Sequence, residues 1–295
     1  MEIHPDNFGG IGPPHSDLET ARAVVLPVPY DRTATYRKGA ARGPEALIAA
    51  SGNVELYDEE LGIDTYTLGI HTAAPACDND VPPEEMVGRV DRAVSRFLEV
   101  GKMVVTVGGE HSITAGAVAA YHRRYPGMTV VQLDAHADLR DSYEGSRHNH
   151  ACVMRRVREL CPTLSVGIRS LSREEADYLS EHPVPMITGP RVASGRDWIP
   201  EALDAVGDQV YVTVDVDFFD PASVPATGTP EPGGCDWYTA LAFLRALSRR
   251  RRIVGFDIME LAPLPGEFSS DFLAAKLLYR MLGYAFPEWA RHSAG

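Results

Sequence analysis

The sequence predicts an α/β fold built around a mostly parallel sheet with helices on both faces. Three observations carry this reading. Short, almost wholly apolar β-branched runs alternate with amphipathic stretches. No repeat, low-complexity stretch or long linker divides the 295 residues, so one domain spanning 1–295 is expected, with residues 1–20 as an N-terminal arm. Four of the apolar runs end in clusters of Gly, His, Asp and Glu. In open α/β sheets, ligands bind beyond the carboxyl ends of the strands.

The elements follow in order. Residues 23–28 form an apolar run, as a strand buried on both faces should. Residues 66–70 read as a second strand. Residues 84–99 read as a helix, because Val87, Val90, Val94 and Phe97 recur at three- and four-residue spacing. The strand at 103–107 runs into Gly108-Gly109-Glu110-His111-Ser112, where glycines permit a tight turn and His111 emerges at a helix start. The strand at 129–133 ends in Asp134-Ala135-His136-Ala137-Asp138. Strands at 164–168 and 184–187 follow. The strand at 210–214 ends in Asp215-Val216-Asp217. Leu241, Leu244 and Leu247 mark a helical stripe. The strand at 253–256 leads to Asp257-Ile258-Met259-Glu260, and Phe272, Lys276, Leu277 and Met281 mark a last helix. The Pro/Gly-rich pieces, 9–14 and 221–234, are short.

Composition narrows the partners. Lys+Arg is 28 against Asp+Glu 41, a net charge of −13. Such a surface repels phosphate backbones and anionic lipid, so neither nucleic acid nor a membrane is an expected partner, and a cationic ligand is favoured. No apolar run approaches the roughly 20 residues of a membrane span. The first ten residues lack a basic and then apolar signal segment, so a cytoplasmic location is expected. Cys77, Cys152, Cys161 and Cys235 are scattered without a CxxC pair, which argues against structural zinc and disulfides.

The strand-end clusters point to metal. In extended backbone, residues two apart project to the same side, so Asp134, His136 and Asp138 should converge, as should Asp215 and Asp217. Side chains of this kind crowded at a sheet end would repel one another, and a bound cation relieves that cost. With His111 the set is two His and four Asp, which suits hard or borderline divalent ions. Six ligands fit two ions bridged by shared carboxylates, and such a pair supplies hydroxide at neutral pH. The chemistry indicated is hydrolysis.

These residues resemble the ureohydrolase (arginase/agmatinase) family. The resemblance rests on GGEHS at 108–112, DAHAD at 134–138, DVDFFDP at 215–221, ATGTPEPGG at 226–234, DIMELAP at 257–263 and GPEALIAAS at 43–51. It implies a three-layer α/β/α sandwich with an eight-stranded, mostly parallel sheet, two Mn2+ per chain, and a homo-oligomer (trimer or hexamer). His111 and Asp138 would hold one ion, His136 and Asp217 the other, with Asp134 and Asp215 shared. His150 matches the family's proton-shuttling histidine, assisted by Asp138, and Glu260 matches the carboxylate that receives a guanidinium. Thr229 falls in the loop that shapes the pocket wall.

The resemblance also bears on the substrate, a small cationic guanidino compound. In Ser146-Arg147-His148-Asn149-His150, histidine stands where arginases carry asparagine, which weakens an arginine reading. The segments ATGTPEPGG and HACVMRR look more like agmatinases, so agmatine, yielding putrescine and urea, is the expected substrate. The alternatives are aminopropyl- or carboxyaminopropyl-agmatine, guanidinobutyrate and arginine, and more remotely a non-catalytic binding subunit. Asp141 and Glu144 are candidates for a distal ammonium, Arg140 and Arg147 for a substrate carboxylate, and His148 for the entrance.

Overall fold

The computed structural model describes residues 6–287. Its strands are β1 (Ala23–Val28), β2 (Tyr57–Asp58), β3 (Ile63–Asp64), β4 (Ile70–Thr72), β5 (Met103–Gly108), β6 (Thr129–Leu133), β7 (Thr163–Ile168), β8 (Met186–Thr188), β9 (Gln209–Asp215) and β10 (Arg252–Met259). Its α-helices are α1 (Gly43–Ser51), α2 (Pro83–Glu99), α3 (Thr114–Arg124), α4 (Val153–Arg158), α5 (Arg173–Glu181), α6 (Gly189–Ala193), α7 (Ile199–Asp204), α8 (Trp237–Arg250) and α9 (Ser269–Ala285). Eight strands form one sheet in the order β4-β1-β5-β10-β9-β6-β7-β8, while β2 and β3 pair separately. Every pairing in the large sheet is parallel.

Alternation along the strands splits the core into two layers. Val105, Val131, Val212 and Val214 face one core, with Leu47, Trp198, Phe243 and Leu277 from the α1, α7, α8 and α9 side. Leu26, Val104, Val130 and Tyr211 face the other, with Val90, Val118 and Val157 from α2, α3 and α4. Strands covered on both faces read as continuous apolar runs, which is why β1 and β6 have the boundaries expected from sequence. The fold is the expected three-layer α/β/α sandwich. No helix among the described residues is long and apolar enough to cross a membrane. All four cysteines are buried free thiols.

Three local features differ from expectation. Residues 65–68 form a 3-10 turn rather than a strand, and the edge strand starts only at Ile70. Gly69, at φ 80°, reverses the chain there and donates its N–H to Tyr66 O, while the Tyr66 N–H goes to Tyr279 Oη rather than a ladder. The strand expected at 184–187 is shifted to Met186–Thr188, after Pro183 and Pro185, which have no N–H to donate. The expected arm is a docked segment over its described part. Phe8 and Ile11 are buried, Phe8 N donates to Thr72 Oγ1 at 2.8 Å, and Gly9 N donates to Ser51 Oγ at 2.8 Å. Residues 1–5 lie outside the described residues, as do His4 and His292, which carry no expected role.

A buried ion cluster ties α9 to the small β2–β3 hairpin. Arg280 Nε lies 2.9 Å from Asp58 Oδ2 and Nη1 lies 2.9 Å from Glu60 Oε2. Arg280 and Asp58 are both buried, and burial raises the Asp58 pKa even beside the guanidinium. Arg280→Met should therefore strand a buried carboxylate and destabilise the fold by about 3 kcal/mol, at the low end for a broken buried pair because Asp58 can take up a proton. Chemical denaturation measures this; a loss under about 1 kcal/mol would show that the cluster is energetically idle.

Candidate metal centre and active site

The four polar clusters leave the carboxyl ends of β5, β10, β9 and β6, which are adjacent in the middle of the sheet. Separate stretches of sequence therefore meet at one place. Gly109 makes this possible after β5, because a Cβ there would sit 1.8 Å from Tyr30 O. Asp138 and Glu260 adopt left-handed backbone conformations, φ 53° and 65°, rare for residues with a side chain and concentrated at functional sites.

Two groups of side chains converge, each with its ligand atoms within 4.8 Å of one another: His111, Asp134 and Asp215, and Asp134, His136 and Asp217. Asp134 belongs to both. His111 Nδ1 lies 3.1 Å from Asp134 Oδ2, 3.3 Å from Asp138 Oδ2 and 3.4 Å from Asp215 Oδ2. His136 Nδ1 lies 2.8 Å from Asp217 Oδ2. The six residues gather at the sheet end, but not through extended backbone. After β6 the chain bends, and His136 N donates to Asp134 Oδ1 at 2.6 Å. Past β9, residues 216–218 form a 3-10 turn capped by Asp215, which accepts from Asp217 N at 2.8 Å. Asp215 and Asp217 thus serve different groups instead of pointing together.

The donor set fits a divalent cation. His111 Nε2 is 2.7 Å from Thr213 Oγ1, which can accept its proton. The buried Nδ1 then presents a lone pair to three carboxylate oxygens and makes a good hydrogen bond with none of them. Acceptors facing acceptors in a dry site need a cation among them. The same carboxylates attract protons as they would a metal cation. Burial, then the charges of Asp217 and Asp138, push the Asp134 carboxyl up to about 7, and burial with the neighbouring aspartates raises Asp215 well above its ordinary value. Burial opposes protonation of His111 and His136, yet the surrounding carboxylates win, raising His111 strongly and His136 to about 11. Burial likewise opposes ionisation of Asp217, but His136 and the Ala135 N–H hold it below the ordinary range.

A cavity of about 270 Å³ opens over this cluster, lined by residues that include Thr35, Tyr36, Tyr143, His150, Thr229 and Glu260. Its carboxylates are Asp138, Asp215, Glu260 and Glu175, and its basic side chains besides histidine are Arg37 and Arg140. Arg37 donates to Ala262 O at 2.9 Å. Arg140 lies over the Tyr143 ring and 3.8 Å from Glu174. Glu260 Oε1 accepts from His111 N at 2.6 Å, and the missing Cβ of Gly228 leaves space beside Oε2. Burial, then Glu110, pushes the Glu260 carboxyl up to about 8. Burial lowers His150, with Asp138 acting the other way.

Several residues singled out in the sequence do not reach the cavity. His148 does not line it; its N–H donates to Ser146 Oγ, and its Nδ1 is buried in the loop. Asp141 pairs with Arg156 at 2.7 Å and with Arg147 at 3.4 Å, and Arg147 also reaches Glu159. Glu144 occupies a left-handed turn outside the lining. Loop charges so close in sequence satisfy one another before they can serve a ligand. Conversely, Thr33, Glu110, Thr213 and Gln132, whose Nε2 donates to Asp134 Oδ2 at 2.8 Å, carry no expected role from sequence. Glu110 lies within the GGEHS motif. Thr33 lies past the end of β1, in a segment without a motif of its own.

Comparison with known proteins extends this. The family model described as "Arginase family" matches residues 21–283. An N(1)-aminopropylagmatine ureohydrolase from Synechocystis sp. is 48% identical over 272 residues, covering 90% of this chain and 89% of that protein. An agmatinase from Pyrococcus horikoshii is 36% identical, covering 92% and 94%. The crystal structure of agmatine ureohydrolase of Thermoplasma volcanium superposes with a TM-score of 0.85 at 35% identity, covering 95% of each chain.

Proposed function

Because the chain belongs to the arginase family and is an enzyme of its ureohydrolase group, we propose that it hydrolyses N(1)-aminopropylagmatine, releasing urea and the remaining triamine. The observation that carries the tail of the substrate is the likeness to the Synechocystis ureohydrolase, which exceeds that to the Pyrococcus agmatinase. Agmatine, preferred from the sequence alone, is the second reading, favoured by the latter. Both substrates are polycations; of the four lining carboxylates, Asp138 and Asp215 would be taken up by the ions and Glu175 accepts from Leu139 N and Ser172 N, which leaves Glu260 to receive a guanidinium.

The residues divide the work. His111 and Asp138 would hold one divalent ion and His136 and Asp217 another, with Asp134 and Asp215 between them; manganese is the family expectation. Bound there, such ions would supply hydroxide at neutral pH. A guanidinium carbon is a weak electrophile because its charge is delocalised, so its placement matters as much as the nucleophile. Glu260 orients it. One carboxylate oxygen is fixed by His111 N, and the other is left for the N–H groups of the substrate. A cation there also returns the Glu260 carboxyl to its ionised form. His150 carries a proton to the leaving nitrogen, with Asp138 nearby. Thr229 contributes to the wall along the substrate.

Product analysis tests this. Manganese-loaded enzyme incubated with N(1)-aminopropylagmatine should give urea and triamine in equal amounts by mass spectrometry. Release of ammonia in place of urea would place the cut at another bond and overturn the reading.

A further inference from the structure

We infer that Thr33, locked by the buried carboxylate of Glu110, is a positioning residue that fixes the tautomer and orientation of His150. This rests on the proposed proton-carrying role of His150. Glu110 is fully buried beyond β5 and lies outside both metal-ligand groups. Its Oε2 accepts from Thr33 N at 2.6 Å, and its Oε1 accepts from Thr33 Oγ1 at 2.5 Å and from Ser112 Oγ at 2.5 Å. Three donors converge on this one carboxyl group, and the geometry makes it their acceptor, so the single hydroxyl proton of Thr33 is directed to it.

The Thr33 oxygen is then left as an acceptor on its other side. There it receives the His150 backbone N–H at 3.1 Å and faces His150 Nδ1 at 3.4 Å. Nδ1 must carry a proton to complement an acceptor. The nitrogen that gains and loses a proton during turnover is therefore Nε2. The 3.4 Å separation is long, as such contacts often are before substrate tightens them. Tyr143 packs edge-on against the His150 ring, with centroids 6.4 Å apart, and restricts its swing. The whole chain of groups is buried or half-buried, where a hydrogen bond that selects one tautomer counts for more than in water.

The arrangement also explains why residues past β1 belong to the site. Thr33 is pinned to the β5 end through Glu110, and the same stretch supplies Ala34, Thr35 and Tyr36 to the cavity wall. Glu110 N in turn donates to Tyr30 O at 2.7 Å, so the two segments are tied in both directions.

The test is Thr33→Val, which keeps the shape and removes the hydroxyl, beside Thr33→Ser, which keeps the hydroxyl. Each is assayed with metal content and thermal midpoint measured. Thr33→Val should lower kcat about 10- to 100-fold with KM within about twofold and metal content unchanged, and Thr33→Ser should stay within about threefold of wild type. Thr33→Val placed on a His150→Asn background should add little further loss, because the histidine it serves is gone. A kcat for Thr33→Val within about twofold of wild type overturns the inference. So does equal damage in both Thr33 variants with raised KM or lost metal, which would mark a packing role. If His150→Asn itself keeps its kcat, the proposed role of His150 fails instead. A crippled His150→Asn beside an active Thr33→Val sinks only the inference about Thr33.

Discussion

Asp134→Asn should abolish urea release, by at least about 10³-fold, and reduce bound manganese from the proposed two ions per chain to fewer than one. Asp134 is the carboxylate common to both convergent groups, so its loss reaches both proposed ions at once. A loss of about 10³-fold corresponds to about 4 kcal/mol of transition-state stabilisation, within what a pair of metal ions supplies. The fold should survive. Burial and the repulsion of Asp217 and Asp138 push the Asp134 carboxyl up to about 7. A buried carboxyl raised in this way weakens the metal-free fold as pH climbs from the unfolded value of about 4 towards 7. Asparagine removes that penalty. The midpoint in chelator should therefore stay within a few degrees of wild type, while the rise that manganese gives the wild type should vanish. Turnover retained with one ion per chain would contradict the dinuclear scheme.

Glu260→Gln should keep both ions and lose kcat/KM by about 30- to 1000-fold. The range corresponds to about 2–4 kcal/mol, typical of removing one partner of a buried, hydrogen-bonded charge pair. The amide oxygen of the substituted side chain could still accept from His111 N, as Glu260 Oε1 does at 2.6 Å, so His111, a proposed metal ligand, should not move. Equal metal content by elemental analysis with collapsed turnover would separate this role from coordination. Wild-type kinetics in the variant would show that the guanidinium binds elsewhere.

The parts of the fold legible in sequence are those whose burial is two-sided and local. β1 and β6 could be bounded to the residue because nearly every position along them is apolar and all are buried. The turn at 65–68 could not, since Tyr66-Thr67-Leu68 includes β-forming side chains and only the reversal at Gly69 shows that they do not pair. The strand order is invisible locally. Nothing in the chain says that β10 lies between β5 and β9, yet that order brings His111, Glu260 and Asp215 together.

The site shows the same division. Asp134, His136 and Asp138 announce themselves by type and spacing, but the bend after Asp134 carries a side chain to backbone hydrogen bond that no periodicity encodes. Asp141 and His148 looked available because their partners, Arg156 and the loop interior, are set by folding. Thr33 was missed for the opposite reason. A lone threonine carries no motif, and its place beside His150 depends on a contact 117 residues away.

The central claim is that this cavity hydrolyses the guanidino group of a long polyamine. It is tested most directly by kcat/KM for urea release from N(1)-aminopropylagmatine, agmatine, guanidinobutyrate and arginine, side by side on manganese-loaded enzyme. Urea is expected from the first with at least about tenfold preference over agmatine, about 1.4 kcal/mol, and little from the two carboxylated compounds. Equal or better turnover of agmatine would move the assignment to the second reading. No urea from any of the four, with metal bound, would contradict the claim.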